Sequence, residues 1–147
     1  MRIHPCGADD LDELASLRVH LWPEGTVDEH RADVGEQYDG SGSAAAYLAR
    51  DDRGVAVGFG EIAVRHDYVN GCDTSPVAFL EGLFVVPAHR RSGVARALCE
   101  ALEAWGRDQG CTELGSDALL SNVAGQRMHA ALGFAERERV VYYRKML

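Results

Sequence analysis

Nowhere does the chain carry the roughly 18–20 consecutive apolar residues that a bilayer-spanning helix requires, so no transmembrane segment is expected. Basic charge is scarce. Fifteen Lys and Arg stand against 23 Asp and Glu, a formal net charge of −8, and a surface built to neutralise nucleic-acid phosphates is therefore not expected. The four cysteines (Cys6, Cys72, Cys99 and Cys111) form no C-x-x-C pair and lack the His spacing of a zinc site. No metal is expected, and these thiols read as reduced packing residues of a cytoplasmic protein. The opening Met1-Arg2-Ile3-His4-Pro5 lacks the apolar stretch of a secretory signal. Repeats, low-complexity tracts and linkers are also missing. What remains is 147 residues, 46% hydrophobic and 26% charged, which fits one globular domain over residues 1–147. An acidic chain of this kind can concentrate cationic ligands in a cleft.

Periodicity divides the chain into alternating elements. Arg2 to Cys6 reads as an opening strand. A helix follows, capped by Asp9 or Asp10, with Leu11, Leu14, Leu17 and Leu21 on the helical repeat and Pro23 as its stop. Thr26-Val27-Asp28-Glu29 has the spacing of a capping box, which predicts a second helix to about Tyr38. Asp39 to Ser43 is a loop in its residue types. Ala44–Arg50 and Val55–Arg65 read as a hairpin around Asp51-Asp52-Arg53-Gly54, His66–Pro76 as an excursion, and Phe79–Val86 as a further strand stopped by Pro87. Val94, Leu98, Ala101, Leu102 and Trp105 share one face of a helix that Gly110 ends. Thr112–Asp117 reads as a short strand, Asn122–Leu132 as a helix and Arg139–Arg144 as a closing strand. This order predicts an α/β (α+β) fold in which a central mixed sheet is flanked by helices.

The most informative stretch is Val85-Val86-Pro87-Ala88-His89-Arg90-Arg91-Ser92-Gly93-Val94-Ala95. A strand delivers the chain to a short turn, and a helix begins at once. The first turn of a helix has unpaired N–H groups and partial positive charge, so it can hold an anion. Gly93 permits close approach of a phosphate, Ala95 keeps the path clear, and Arg90, Arg91 and Arg96 add positive charge. A plain strand-loop-helix connection with exposed arginines is the alternative. Arg90-x-x-Gly93-x-Ala95 after Val-x-Pro resembles the acetyl-CoA pyrophosphate loop of the GNAT N-acetyltransferase superfamily. Asn122 to Leu132-Gly133-Phe134 resembles that superfamily's second motif. Within it, Leu21-Trp22-Pro23, His66 to Cys72, Phe79 to Gly82, Ser116-Asp117 and Glu138 to Tyr142 resemble the aminoglycoside 6′-N-acetyltransferases, from end to end.

The resemblance implies acetyl-CoA as co-substrate, with acetyl passing directly to an aminoglycoside amine. If that amine titrates near a lysine, about three units above neutrality, presenting it uncharged at pH 7 costs about 4 kcal/mol, and a positioned carboxylate can take the proton. Glu81, between Leu80 and Gly82, is the expected base and amine anchor, or else an outward strand carboxylate. Asp117 is expected at the sheet opening, where the resemblance implies that it contacts the sugar and shares the base role; the alternative is that it merely caps a turn. By resemblance Glu138 is a third substrate carboxylate, or else an exposed acid between Arg137 and Arg139, and Trp22 and Tyr68 line the pocket, unless these two aromatics are ordinary core. The backbone of Leu83, Phe84 and Val85 is expected to pair with the pantetheine arm. Arg91, Ser92, Gly93, Val94, Ala95 and Arg96 are expected to hold the pyrophosphate, with Asn122 as a further cofactor contact. His129 stands where many superfamily members have the tyrosine that protonates the leaving thiolate. It is expected either to act as that acid or to pack on its helix, with Tyr142 and Tyr143 as fallbacks. Another small amine, such as a polyamine or amino sugar, is the alternative acceptor. A homodimer is expected through the strand-like tail Val140–Leu147.

Overall fold

The computed structural model describes residues 1–38 and 42–147. Strand β1 (Arg2–Pro5) leads through a short 3-10 turn into helix α1 (Leu11–Leu21), then helix α2 (Val27–Gln37). Strands β2 (Ala44–Arg50), β3 (Ala56–Arg65) and β4 (Val77–Val85) follow, then helix α3 (Val94–Asp108), strand β5 (Leu114–Gly115) and helix α4 (Val123–Ala131). The expected loop residues Asp39–Ser41 lie outside the described residues. Asp10 does not cap α1 with its side chain; its carboxylate instead accepts from the Gly7 N–H at 2.9 Å. Thr26 caps α2 as expected, its hydroxyl accepting from Glu29 N–H at 3.1 Å.

The five strands lie in the order β1-β2-β3-β4-β5. The first four are antiparallel, and β5 joins β4 in parallel. Helix α3 covers one face: Val94, Leu98 and Leu102 pack with Ile62, Ala78, Leu80, Leu83 and Val85. Burying each such Leu stabilises the fold by roughly 1.5–3 kcal/mol. Helices α1 and α2 cover the other face, where Leu11, Leu14, Leu17 and Val34 pack with Ala46, Leu48 and Phe59.

Two features of this sheet position the site. Glu61 pairs with Gly82 while Ile62 pairs with Leu80, so Glu81 is an extra residue without a counterpart. Such a bulge re-aims a side chain out of the ladder. The pairing of β4 with β5 is confined to Ala78–Leu114 and Phe79–Gly115. Beyond Phe79, β4 is therefore paired on its β3 side alone among the described residues.

The expected closing strand Arg139–Arg144 does not form: after α4 the described chain has no helix or strand. A strand needs a neighbouring edge to satisfy its backbone, and this tail lies exposed, with Tyr142 and Tyr143 at 80% and 92%. The expected strand Thr112–Asp117 is shorter, Leu114–Gly115, because only these two residues follow the β4 edge, opposite Ala78 and Phe79.

Candidate active site

Glu81 leaves the sheet at the bulge and meets Arg65, the last residue of β3. Arg65 Nη2 donates to both carboxylate oxygens at 3.0 Å, and Nε donates to Oε1 at 3.2 Å. The Arg65 guanidinium is itself stacked 3.6 Å from the centroid of the Phe79 ring. Glu81 is thus a fixed, charge-paired carboxylate whose side chain is still 35% exposed.

Arg65 also lines an open cleft of about 1420 Å³, together with Tyr68, Ser116, Asp117, His129 and Glu138. Tyr68 stands exposed on the excursion after β3, Asp117 is exposed two residues beyond β5, and Glu138 is exposed on the tail. The cleft thus gathers one aromatic and two carboxylates of the expected acceptor side, with Arg65 linking them to Glu81. Trp22 sits elsewhere on that side. It is half-buried at the C-terminal end of α1, and its indole lies on the backbone of Gly82, next to Glu81.

Trp22 rests on a buried polar network beneath it. Arg18, His30 and Glu61 are 6%, 5% and 2% exposed. Arg18 Nη1 donates to both Glu61 oxygens at 2.9 and 3.0 Å. Burial pushes the Glu61 carboxyl up to about 6, against the lowering effect of Arg18 and of the Tyr38 hydroxyl that hydrogen-bonds it. Burial likewise pushes the Cys6 and Cys99 thiols up to about 12, so both are unreactive near neutral pH.

Both ring nitrogens of His129 are engaged. Nδ1 lies 2.6 Å from the Gly125 carbonyl, which can only accept, so Nδ1 carries the hydrogen. Nε2 then accepts from the Ser116 hydroxyl at 2.7 Å. In this state the ring has no hydrogen on the side facing Ser116. Tyr142 lines the same cleft as His129 but is 80% exposed, and Tyr143 is 92% exposed.

The loop after β4 offers an anion cradle. Arg91 and Gly93 both adopt positive φ, 60° and 87°, which turns successive N–H groups toward one side. The first bond of α3 runs from Ala97 N–H to Gly93 C=O, so the N–H groups of Val94, Ala95 and Arg96 have no acceptor earlier in the helix. A Cβ on Gly93 would meet nothing within 4 Å, so the approach is open. Ser92 Oγ donates to His89 C=O at 2.6 Å. The Val94 side chain is buried, leaving only its backbone for a ligand. Arg96 turns away and donates to the Ala131 carbonyl at 2.9 Å, tying α3 to α4. In the β4 segment Leu83 and Val85 are buried against α3 and Phe84 faces α1, stacked on His20 at 5.5 Å. The Val85 carbonyl accepts from Arg90 Nε at 2.8 Å. Asn122 caps α4, accepting from Gly125 N–H at 2.9 Å. An anion cradle beside an unpaired strand edge fits an extended, phosphate-bearing thioester such as acetyl-CoA. Among the described residues no group of three or more His, Cys, Asp and Glu could hold a metal.

Sequence reasoning passed over Arg18, His30, Glu61 and Arg65. Arg18 falls on the apolar stripe between Leu14 and Leu21, and Glu61 interrupts Phe59-Gly60-x-Ile62-Ala63-Val64; each was a legible sign of a buried charge. Arg65 carried no such sign, because only the strand register brings it to Glu81.

Residues 11–134 match the acetyltransferase (GNAT) family. The chain is 49% identical over 142 residues to the aminoglycoside N(6′)-acetyltransferase type 1 of Serratia marcescens, covering 97% of each protein. It is 48% identical over 145 residues to that of Salmonella typhimurium, covering 99% of each. Its fold is similar to AAC(6′)-Iy in complex with the bisubstrate analogue CoA-S-monomethyl-acetylneamine, with TM-score 0.92 and 45% identity over 99% of this chain and 98% of that one. It is likewise similar to the apo AAC(6′)-IG of Acinetobacter haemolyticus, with TM-score 0.93 and 41% identity over 100% and 99%.

Proposed function

Because the chain belongs to the acetyltransferase (GNAT) family, we propose that it transfers the acetyl group of acetyl-CoA to the 6′-amino group of aminoglycosides and so confers resistance to them. The observation that carries this reading is the bulge on β4. It presents the Glu81 carboxylate beside a strand edge that is free to pair with an extended ligand.

Acetyl-CoA supplies the acetyl group as a thioester, and the chain's own residues hold both substrates. The backbone of Leu83, Phe84 and Val85 pairs with the pantetheine arm and offers an N–H to the thioester oxygen as charge develops on it. The N–H groups from Arg91 to Arg96 take the pyrophosphate, and Asn122 borders the cofactor. Arg96 serves that loop through its backbone, since its side chain is committed to Ala131. On the acceptor side Asp117, Glu138 and Tyr68 bind the polycationic sugar, and Trp22 forms a wall beside Glu81. Glu81 accepts the proton that the 6′ ammonium must lose before it attacks, with Asp117 sharing that role. His129 returns a proton to the thiolate through the Ser116 hydroxyl, after Nε2 has taken one up.

The whole chain, 1–147, acts as one catalytic domain in the cytoplasm, where acetyl-CoA is made. Two copies pair through their tails. Among the described residues of one chain, the exposed Val141, Tyr142, Tyr143 and Met146 and the short β5 leave strand-forming residues and a sheet edge without partners, which supports a dimer. Light scattering across micromolar concentrations tests this, and a monomer throughout would overturn it. Glu81→Ala and Asp117→Ala test the site. Each should cut turnover while acetyl-CoA binding stays nearly intact, and full kcat/KM in both across pH would refute the acceptor-side assignment.

A further inference from the structure

We propose that Arg18 and His30 are positioning residues for acceptor binding: with the buried carboxylate of Glu61 they lock the Trp22 indole in place over Gly82, beside Glu81. This rests on the reading that Trp22 borders the acceptor pocket. All three ionisable groups are buried. A buried ion pair is a poor way to gain stability, since apolar residues of similar volume serve as well or better. What such a pair supplies here is direction.

The direction can be followed bond by bond. Glu61, from β3, fixes the Arg18 guanidinium through Nη1, and Gln37 of α2 accepts from the same nitrogen at 3.1 Å. Arg18 Nε lies 3.3 Å from His30 Nδ1. Arginine has no acceptor, so Nδ1 accepts and the imidazole hydrogen sits on Nε2. Nε2 donates to the Trp22 carbonyl at 2.9 Å. The Trp22 N–H donates to the Arg18 carbonyl at 2.8 Å, closing the last turn of α1. The guanidinium carbon is 4.8 Å from the centroid of the indole, a cation–π contact in a desolvated setting. Trp22 is therefore held at its N–H, its carbonyl and its ring by two residues that are themselves fixed. The corner between α1 and α2 closes on the imidazole, since a Cβ on Gly25 would lie 2.9 Å from His30 Nε2. The ring's remaining freedom is removed by Phe59, at 6.0 Å between centroids, and by the Gly82 backbone.

The test replaces the charges as a pair, Arg18→Met with Glu61→Leu, so that no lone charge is left buried. Trp105→Phe is added to leave Trp22 as the sole tryptophan of the two. Three readouts are compared with the Trp105→Phe parent: steady-state kinetics with kanamycin, acetyl-CoA binding, and Trp22 emission and anisotropy. The expected result is a folded protein whose KM for kanamycin rises about tenfold or more, while kcat falls less and acetyl-CoA affinity is unchanged. Trp22 emission should shift to the red and its anisotropy fall. His30→Ala should move the same readouts, and His30→Gln, which can still accept from Arg18 and donate to Trp22, should restore part of the loss. Unchanged KM and emission in the folded paired variant would overturn the proposal. If that variant does not fold, unchanged KM and emission in His30→Ala would overturn it. If the parent itself turns over no aminoglycoside, the function reading fails, while Trp22 emission and anisotropy still decide whether the network holds the ring.

Discussion

A single methyl group at Gly82 tests how tightly the wall of the site is built. A Cβ at this position would lie 2.5 Å from Trp22 Cη2, 2.8 Å from Cζ2 and 3.1 Å from Leu21 Cδ2. Carbon atoms make favourable contact at roughly 3.5–4.0 Å, so the indole must retreat by about 1 Å. It has no easy way to do so, because Arg18, His30 and Phe59 hold it. Gly82→Ala should therefore destabilise the fold by about 1–3 kcal/mol, the cost of overpacking. For a chain of this length that lowers Tm by about 2–4 °C per kcal/mol. With the wall displaced by about 1 Å, kcat/KM for an aminoglycoside should fall by up to about 100-fold, while KM for acetyl-CoA stays within about twofold. Differential scanning calorimetry and steady-state kinetics give both numbers. The decisive comparison is the cycle with Trp22→Ala. Without the indole the added methyl has room, so most of the Gly82→Ala stability cost should vanish. If Gly82→Ala costs as much in the Trp22→Ala background as in the wild type, the clash is not with the indole and the reasoning fails.

Three further predictions follow from other parts of the molecule. Gly93→Ala meets no neighbouring atom but forces a side chain into φ +87°, at about 1–2 kcal/mol; KM for acetyl-CoA should rise while KM for the acceptor holds, and unchanged KM values would show that the loop does not carry the phosphates. The Glu61 carboxyl sits at about 6 in the fold against an ordinary value of 4.5, so the native state keeps a proton that the unfolded chain has released. Its contribution, about 2 kcal/mol, is complete below pH 4.5 and lost as pH rises through 6. Urea unfolding at stepped pH should show this loss in the wild type and not in Glu61→Gln; parallel curves would contradict it. Cys6 and Cys99, with thiols pushed up to about 12, should resist iodoacetamide at pH 8 in the native protein and react on unfolding, as peptide mapping would show.

Local rules made most of the fold legible. The stripe Leu11, Leu14, Leu17 and Leu21 marks α1, the capping box at Thr26 marks α2, and the stripe Val94, Leu98, Ala101, Leu102 and Trp105 marks α3, each because the determining contacts lie within a few residues. The closing strand expected at Arg139–Arg144 does not form, because alternation states only that a segment could pair, not that an edge awaits it. The setting of Glu81 was hidden for a related reason. A bulge exists only between two strands, so neither the extra residue nor the Arg65 clasp can be seen along one of them. Trp22 was flagged by its resemblance to other pockets, while the Arg18–His30–Glu61 support beneath it depends on three elements meeting in the core.

The central claim is acetyl transfer to the 6′ amine of an aminoglycoside. It is tested most directly by following thiol release from acetyl-CoA with kanamycin, tobramycin, spermidine and glucosamine as parallel acceptors, and by locating the acetyl group by mass spectrometry. Turnover with the two drugs, with the product acetylated at the 6′ nitrogen, is the predicted result. Turnover on spermidine or glucosamine alone, or acetylation at another nitrogen of the drugs, would contradict it.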